Sequence, residues 1–170
     1  ARIEGAHLAG DAATKPSVIA AGGAEIVHFA THSFWISRDG ESQRASESES
    51  LLFRTRALLD DPMQRSGIAL AGADAELNSP TAASPGILFA DEVLDLDLRD
   101  TDLAVLSSCQ SGIGDLAPGD GIQGLRRAFR AAGANSVVSS LWKVPDEAAH
   151  DLMLDFYARL LDQVPRGQAL

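Results

Sequence analysis

The chain has 170 residues, a length that suits one globular domain and is short for two. Hydrophobic residues make up 45% and charged residues 22%, so the sequence can form a core and is not disordered throughout. Fourteen Lys and Arg against 24 Asp and Glu give a formal net charge of −10, which disfavours direct binding to nucleic acid. The densest basic group, Arg126, Arg127 and Arg130, is typical of the solvated face of a helix.

Apolar runs, signal sequences and cysteine content indicate where in the cell the protein is expected. No stretch approaches the roughly 18 consecutive apolar residues that predict a membrane span, and no signal peptide is recognisable. Cys109 is the only cysteine, which excludes a disulfide scaffold and makes a reducing cytoplasm the expected location. Because the sequence starts at Ala1 and stops at Leu170 without a polar tail, we expect a domain over 1–170 whose ends are truncated.

The first third of the chain predicts a helix, a strand and a loop. Thr14 is the expected cap of a short helix that ends near Gly22. Residues 25–31 are rich in β-forming side chains and predict a strand. The Ser-rich stretch 37–50 has no hydrophobic period and predicts a mobile loop.

The middle of the chain is less regular. Apolar residues with helical spacing resume over 51–59. Two short apolar segments, 68–71 and 87–89, are separated by residues rich in Pro and Ser. This arrangement predicts a long hairpin or an excursion from the main sheet.

The last third of the chain predicts βαβ units. Residues 103–107 form the near-continuous apolar run of a strand covered on both faces, and 136–142 predict the next strand. Between them, a Gly-rich loop leads into a helix that ends at Gly133. A final helix begins near Pro145, with Leu152 and Phe156 on its apolar stripe. Strands separated by helices indicate an α/β fold with a mostly parallel sheet flanked by helices.

Two reactive side chains each follow a predicted buried strand. His32 comes at the end of the first strand, and Cys109 follows the run 103–107. Ligands of open α/β sheets bind beyond the carboxyl ends of the strands, so neighbouring strands would bring an imidazole and a thiol to one edge. A nearby His activates a thiol that is otherwise only a few per cent thiolate at pH 7. Gly112 allows a sharp turn whose N–H groups can hold an oxyanion.

The residues alone leave a second interpretation open. A lone cysteine near a strand end is often a small core residue, without any catalytic role. His28, four positions before His32, lies inside the predicted strand, and we expect it to be a packed, hydrogen-bonded core histidine.

The combination of segments resembles the CHAT domain family. The matching segments, in the order of the family, are IVHFATHS around His32, RSGIALAGAD and GILFADEVLDLDL, DLAVLSSCQSGIGD around Cys109, and GDGIQGLRRAFRAAGANSVVSSLWKVPDEAAHDLMLDFYARLL. The resemblance extends from about Gly10 to the last residue. CHAT domains are grouped with the caspase-like cysteine peptidases, alongside separase and the metacaspases.

The resemblance implies a caspase-like α/β sandwich and an endopeptidase with His32 and Cys109 as its catalytic dyad. It also implies that the backbone N–H groups of Cys109 and Ser33 stabilise the oxyanion. The family usually has Gly where this chain has Ser33, and a residue with a side chain does not freely adopt a positive φ.

Substrate preference depends on acidic side chains near the thiol. Several relatives that cleave after basic residues have an acid two positions before the Cys, where this chain has the uncharged Ser107. Asp115 and Asp120 are the nearest acids and are candidates to line a pocket for Arg or Lys. Asp120 equally suits the cap of the helix that begins near Gly121.

The same residues bear on two other classes of function. A nucleotide or phosphate site is disfavoured, because Ala117 stands where the G-x-G-x-x-G motif requires Gly. A zinc site is disfavoured for a different reason, since the sequence offers no fourth ligand for the metal. A catalytically silent CHAT domain that acts in recognition or assembly is the alternative to the peptidase.

We expect no cofactor, no metal and no membrane association. The resemblance implies a protein substrate, gasdermin-like pore-forming proteins being one candidate class. It also implies a TPR array, another repeat array or a sensor domain in the same chain or complex.

Overall fold

The computed structural model describes residues 5–36, 55–56, 58–78, 86–107, 120–140 and 144–170. The strands in these ranges are β1 (Ile26–Phe29), β2 (Ser33–Trp35), β3 (Ser66–Ala69), β4 (Ile87–Phe89), β5 (Leu103–Leu106) and β6 (Ser136–Ser139). The helices are α1 (Lys15–Ala20), α2 (Ala73–Asn78), α3 (Ala90–Val93), α4 (Asp120–Ala131), α5 (Asp146–Leu161) and α6 (Arg166–Ala169). Short 3₁₀ turns cover Gly10–Ala12 and Pro62–Arg65.

The main sheet is parallel and has the order β1-β5-β6. In its register, Phe29 is the partner of Leu106, which is itself the partner of Ser139. Every residue of the central strand β5 is buried, as the continuous apolar run predicted. The crossovers between these strands contain helices, as is usual for parallel pairing.

A second sheet is antiparallel and has the order β2-β3-β4. Ile68 of its central strand pairs with Ser33 on one side and with Leu88 on the other. The segments 68–71 and 87–89 therefore belong to a long antiparallel hairpin that is also an excursion from the main sheet, so both arrangements that the sequence predicted are observed.

Side chains alternate between the two faces of the main sheet and fill two separate cores. On one face, Ala104 and Leu106 belong to a core that includes Phe129 of α4. On the opposite face, Leu103 and Val105 pack with Phe156 of α5. Helices on both faces of a parallel sheet make this an α/β sandwich, which confirms the predicted fold class.

Arginine side chains pack against the aromatic rings of the second sheet. The buried Arg65 lies with its guanidinium carbon 4.1 Å from the ring centre of Trp35 and donates to the carbonyl oxygen of Ile36 at 3.1 Å. The guanidinium carbon of Arg56 lies 3.8 Å from the ring centre of Phe89. Cation–π contact and hydrogen bonding together offset part of the cost of removing an arginine from water.

Several predicted elements are confirmed with shorter bounds. Thr14 caps α1 by accepting from the backbone N–H of Ser17 at 3.2 Å, and Gly133 follows α4 with a φ of 117°. The arginines 126, 127 and 130 are exposed on α4, as expected of a solvated helix face. The strand predicted over 136–142 is observed as Ser136–Ser139. Within the described ranges, no helix is long and apolar enough to cross a membrane.

Candidate active site

The first strand ends earlier than the sequence predicted, and this changes the position of His32. Strand β1 stops at Phe29, and His32 lies in the connection between β1 and β2. The strand predicted over 25–31 is therefore too long at its end, since Ala30 and Thr31 lie outside it. The physical reason is that the chain leaves the parallel sheet after Phe29 and enters the antiparallel sheet at Ser33.

Two hydrogen bonds to one residue hold this connection against β3. The hydroxyl of Thr31 donates to the carbonyl oxygen of Ala69 at 2.7 Å. The backbone N–H of Ala69 donates to the carbonyl oxygen of His32 at 2.9 Å. The backbone of His32 is thus anchored to the second sheet, while its side chain is exposed to solvent.

Ser33 has an extended backbone and does not need a positive φ. It is the first residue of β2 and is only 6% exposed. Gln163 is the one described residue other than glycine that has a positive φ, so the φ of Ser33 is negative. The bond from Ala69 to His32 flanks the pair Ser33–Ile68, so the N–H of Ser33 is directed away from β3. The departure from Gly at this position therefore introduces no left-handed strain.

The other predicted site residues lie partly outside the described residues. Cys109 and Asp115 belong to the segment 108–119, which is not described, and the loop predicted over 37–50 also lies outside the described ranges. Asp120 is the first residue of α4. The dyad and both interpretations of Asp120 stay predictions.

What the sheet register does establish is that the two strands which precede His32 and Cys109 are neighbours. Phe29 and Leu106 are direct partners at the carboxyl ends of β1 and β5. His32 and Cys109 each follow their strand by three positions in the sequence. The condition on which the sequence argument depended, adjacent parallel strands, is confirmed.

His28 differs from the expected core histidine. Its hydrogen bonds are confirmed, since Nε2 lies 2.6 Å from the Ser107 hydroxyl and Nδ1 lies 3.1 Å from the Tyr157 hydroxyl. Its predicted burial is wrong, because the residue is exposed at the edge of the α5 face. The protein around the ring still removes part of its hydration, and this burial lowers the pKa of His28 from 6.5.

Tyr157 is the residue of this cluster that sequence reasoning missed. It lies on α5, and its ring centre is 5.6 Å from that of His28. Burial raises the pKa of Tyr157 to about 12, so its phenol is neutral at physiological pH. A polar tip beside the apolar stripe of α5 was the available signal, but it did not indicate which strand residue it would meet. Ser107, whose sequence position suggested only the lack of an acid, is the third member.

Helix α5 also leaves one predicted core residue at the surface. Leu152 was expected on the buried stripe of the last helix and is 43% exposed. It lines a cavity of about 360 Å³ at the carboxyl ends of β5 and β6. In the described part of the chain, no three His, Cys, Asp or Glu side chains are grouped so that they could hold a metal ion.

The sandwich, with its parallel sheet and anchored histidine connection, defines an α/β domain of the caspase-like class. A family model described as CHAT domain matches residues 3–170, and the chain belongs to this family. The chain is 35% identical to tetratricopeptide repeat protein 28 of Homo sapiens and 33% identical to that of Mus musculus, over 96% of its own length in both cases. It spans only 7% of the length of these relatives.

Proposed function

We propose that the domain is a cysteine endopeptidase in which Cys109 is the nucleophile and His32 assists proton transfer. The observation that carries this proposal is the pairing of Phe29 with Leu106, because it makes the two strands that precede His32 and Cys109 parallel neighbours. Membership of a caspase-like family supports the same reaction.

In the proposed reaction, the Cys109 sulfur attacks the carbonyl carbon of the scissile peptide bond. His32 transfers a proton to the leaving amine, which departs and leaves a thioester on the sulfur. Water then attacks the thioester and releases the acid. The N–H groups of Ser33 and Cys109 are the proposed donors to the oxyanion, and the extended conformation of Ser33 supports its part in this role.

The substrate is proposed to be a protein, and a repeat array is the proposed partner. The relatives are tetratricopeptide repeat proteins many times longer than this chain, which supports an array of that kind in the same polypeptide. Asp115 and Asp120 remain the proposed acids for a basic substrate residue, and gasdermin-like proteins remain one proposed substrate class.

Proteolysis of a randomised peptide library, followed by mass spectrometry, tests the activity. In the intact protein, we expect cleavage that is lost in Cys109→Ala and in His32→Ala. His150→Ala is the matched control, because His150 is an exposed histidine on α5 and its removal should leave cleavage unchanged. Cleavage that persists in Cys109→Ala would overturn the assignment.

The alternative is a silent CHAT domain that serves in recognition or assembly. The names of the relatives favour it, since they refer to repeats and to no peptidase. Alkylation separates the two functions: an activated Cys109 reacts with iodoacetamide faster than a free peptide thiol near neutral pH, whereas a silent domain shows no such acceleration.

A further inference from the structure

Three polar side chains from three parts of the fold meet near the carboxyl edge of the parallel sheet, on the face covered by α5. His28 belongs to β1, Ser107 directly follows β5, and Tyr157 belongs to α5. The Ser107 hydroxyl lies 2.6 Å from Nε2 of His28, and the Tyr157 hydroxyl lies 3.1 Å from Nδ1 of the same ring. The three side chains are therefore arranged as a nucleophile (Ser107), a base (His28) and a group that orients the base (Tyr157).

We propose that Ser107, His28 and Tyr157 form a second nucleophilic site, at which the Ser107 hydroxyl is acylated by carboxylic esters with a small apolar acyl group. The site consists entirely of described residues and does not depend on Cys109. It is therefore independent of the peptidase proposal.

The geometry gives each ring nitrogen of His28 one task. Nε2 is within reach of the hydroxyl proton of Ser107 and can accept it. The tautomer with a proton on Nδ1 donates to the oxygen of Tyr157, which holds the plane of the ring. The lowered pKa of His28 keeps the ring neutral at pH 7, as a base must be.

Tyr157 orients the ring by a hydrogen bond and supplies no negative charge, because its phenol is neutral. An imidazolium formed at His28 is therefore stabilised less than one beside a carboxylate. We accordingly expect reaction with activated esters and not with amides.

A cavity beside the hydroxyl suits the acyl group. It has a volume of about 360 Å³, within the usual range of small-molecule sites. Its lining near Ser107 is mainly apolar and includes Val105, Val138, Leu152 and Met153. An ester carbonyl at Ser107 can thus place a short hydrocarbon chain in this cavity.

The proposed reaction consumes an ester and water and releases an alcohol and a carboxylic acid. The Ser107 oxygen bonds to the carbonyl carbon while its proton passes to Nε2 of His28. The bond from carbon to the alcohol oxygen then breaks, and the alcohol leaves with that proton. Water, deprotonated by the same nitrogen, hydrolyses the acyl-serine and restores Ser107.

A fluorophosphonate probe and p-nitrophenyl butyrate test the site in the intact protein that carries Cys109→Ala. We expect the probe to lose fluoride and phosphonylate Ser107, as located by peptide mass spectrometry. His28→Ala should lower the labelling rate and the release of p-nitrophenol by about 100-fold or more. Tyr157→Phe retains the aromatic ring and should lower the labelling rate and the p-nitrophenol release by roughly tenfold. The His28 imidazole can still act as the base in this variant but loses the hydrogen bond that orients it.

Ser136→Ala is the matched control, because Ser136 lies at the opposite end of β6 from the cavity and its hydroxyl accepts from Arg166 at 2.8 Å. It should leave labelling unchanged. If His28→Ala fails to fold, His28→Gln serves instead, since its amide keeps hydrogen bonding and cannot act as a base. The proposal is overturned if Ser107 is not labelled, if another serine carries the label, or if neither His28 variant changes the rate.

Discussion

The hydroxyl of Thr31 donates to the carbonyl oxygen of Ala69 at 2.7 Å, and this bond joins the connection that carries His32 to the antiparallel sheet. The backbone N–H of Ala69 in turn donates to the carbonyl oxygen of His32. The backbone of the proposed catalytic histidine is thus positioned by the second sheet and not by the strand that precedes it. The excursion of the chain into β2, β3 and β4 therefore has a direct structural consequence for the site.

Substitution of Thr31 by Val removes this hydroxyl with little change in shape. We expect kcat for peptide cleavage to fall by roughly tenfold or more with KM nearly unchanged, because His32 is displaced from its productive position. Stability should fall by about 1 kcal/mol. Thr101→Val is the matched control, since Thr101 makes the equivalent bond to the carbonyl oxygen of Ala24 at 2.8 Å. It should lower stability to a similar degree and leave kcat unchanged; an equal loss of kcat in both variants would contradict positioning by Thr31.

The N–H of Ser33 can be removed without breaking the ladder between β2 and β3, because it is directed away from β3. Ser33→Pro should lower peptide cleavage by about 10²- to 10³-fold through loss of an oxyanion donor. Ser33→Gly keeps the N–H and should retain most of the activity. Iodoacetamide modification of Cys109 requires no oxyanion donor and should persist in both variants. Loss of cleavage in Ser33→Gly would contradict this role for the backbone.

The parallel sheet was predictable from the sequence because its central strand buries both faces. The run from Leu103 to Leu106 is apolar at every position, which is typical of a strand covered by helices on each side. Gly133 was predictable for a different reason, since it follows an amphipathic helix at the position that favours a left-handed residue. The local sequence pattern was sufficient to predict both the central strand and the glycine after the helix.

The histidine connection was not predictable in the same way. Strand β2 has only three residues, and its pairing with Ser66–Ala69 crosses about thirty positions of sequence or more. Residues 25–31 are rich in β-forming side chains, so nothing local marks the end of β1 at Phe29. The end is set by tertiary pairing, in which Thr31 and His32 bond to Ala69.

The cluster of His28, Ser107 and Tyr157 was hidden by its sequence separations. His28 and Ser107 are 79 positions apart, and His28 and Tyr157 are 129 apart. Each residue type is common in its own element, and only the register of β1 against β5 brings the first two together. Spacing along one chain segment carries no signal of such a contact.

Acidification should destabilise the domain through His28. Burial lowers the pKa of His28 in the folded state below its ordinary value of 6.5, so between these two values the unfolded chain binds more protons. The contribution to stability is therefore complete above pH 6.5 and declines as the pH falls from 6.5 toward the lower folded value. His28→Gln should reduce the loss of stability between about pH 7.5 and about pH 5.5, measured by urea unfolding. His150→Gln, an exposed control, should retain the wild-type loss; an equal loss in all three proteins would contradict the assignment to His28.

The turn after α4 requires glycine for two separate reasons, and these can be resolved by substitution. Gly133 has a φ of 117°, and a Cβ there would lie 2.8 Å from the backbone nitrogen of Arg99. Gly133→Ala should therefore lower the free energy of unfolding by about 2 to 4 kcal/mol, since backbone strain and a clash with the main chain both contribute. Gly23 has a φ of 85°, and a Cβ added there would meet no atom within 4 Å, so Gly23→Ala should cost only the strain, about 1 kcal/mol.

Urea unfolding of the two variants measures the difference between strain alone and strain with a clash. Equal losses would show that the segment at Arg99 moves aside to accept the new methyl group. Because Arg99 lies in the turn that leads into β5, such movement would also displace the central strand on which the proposed site depends. Peptide cleavage by Gly133→Ala should then fall together with stability, whereas Gly23→Ala should retain the wild-type rate.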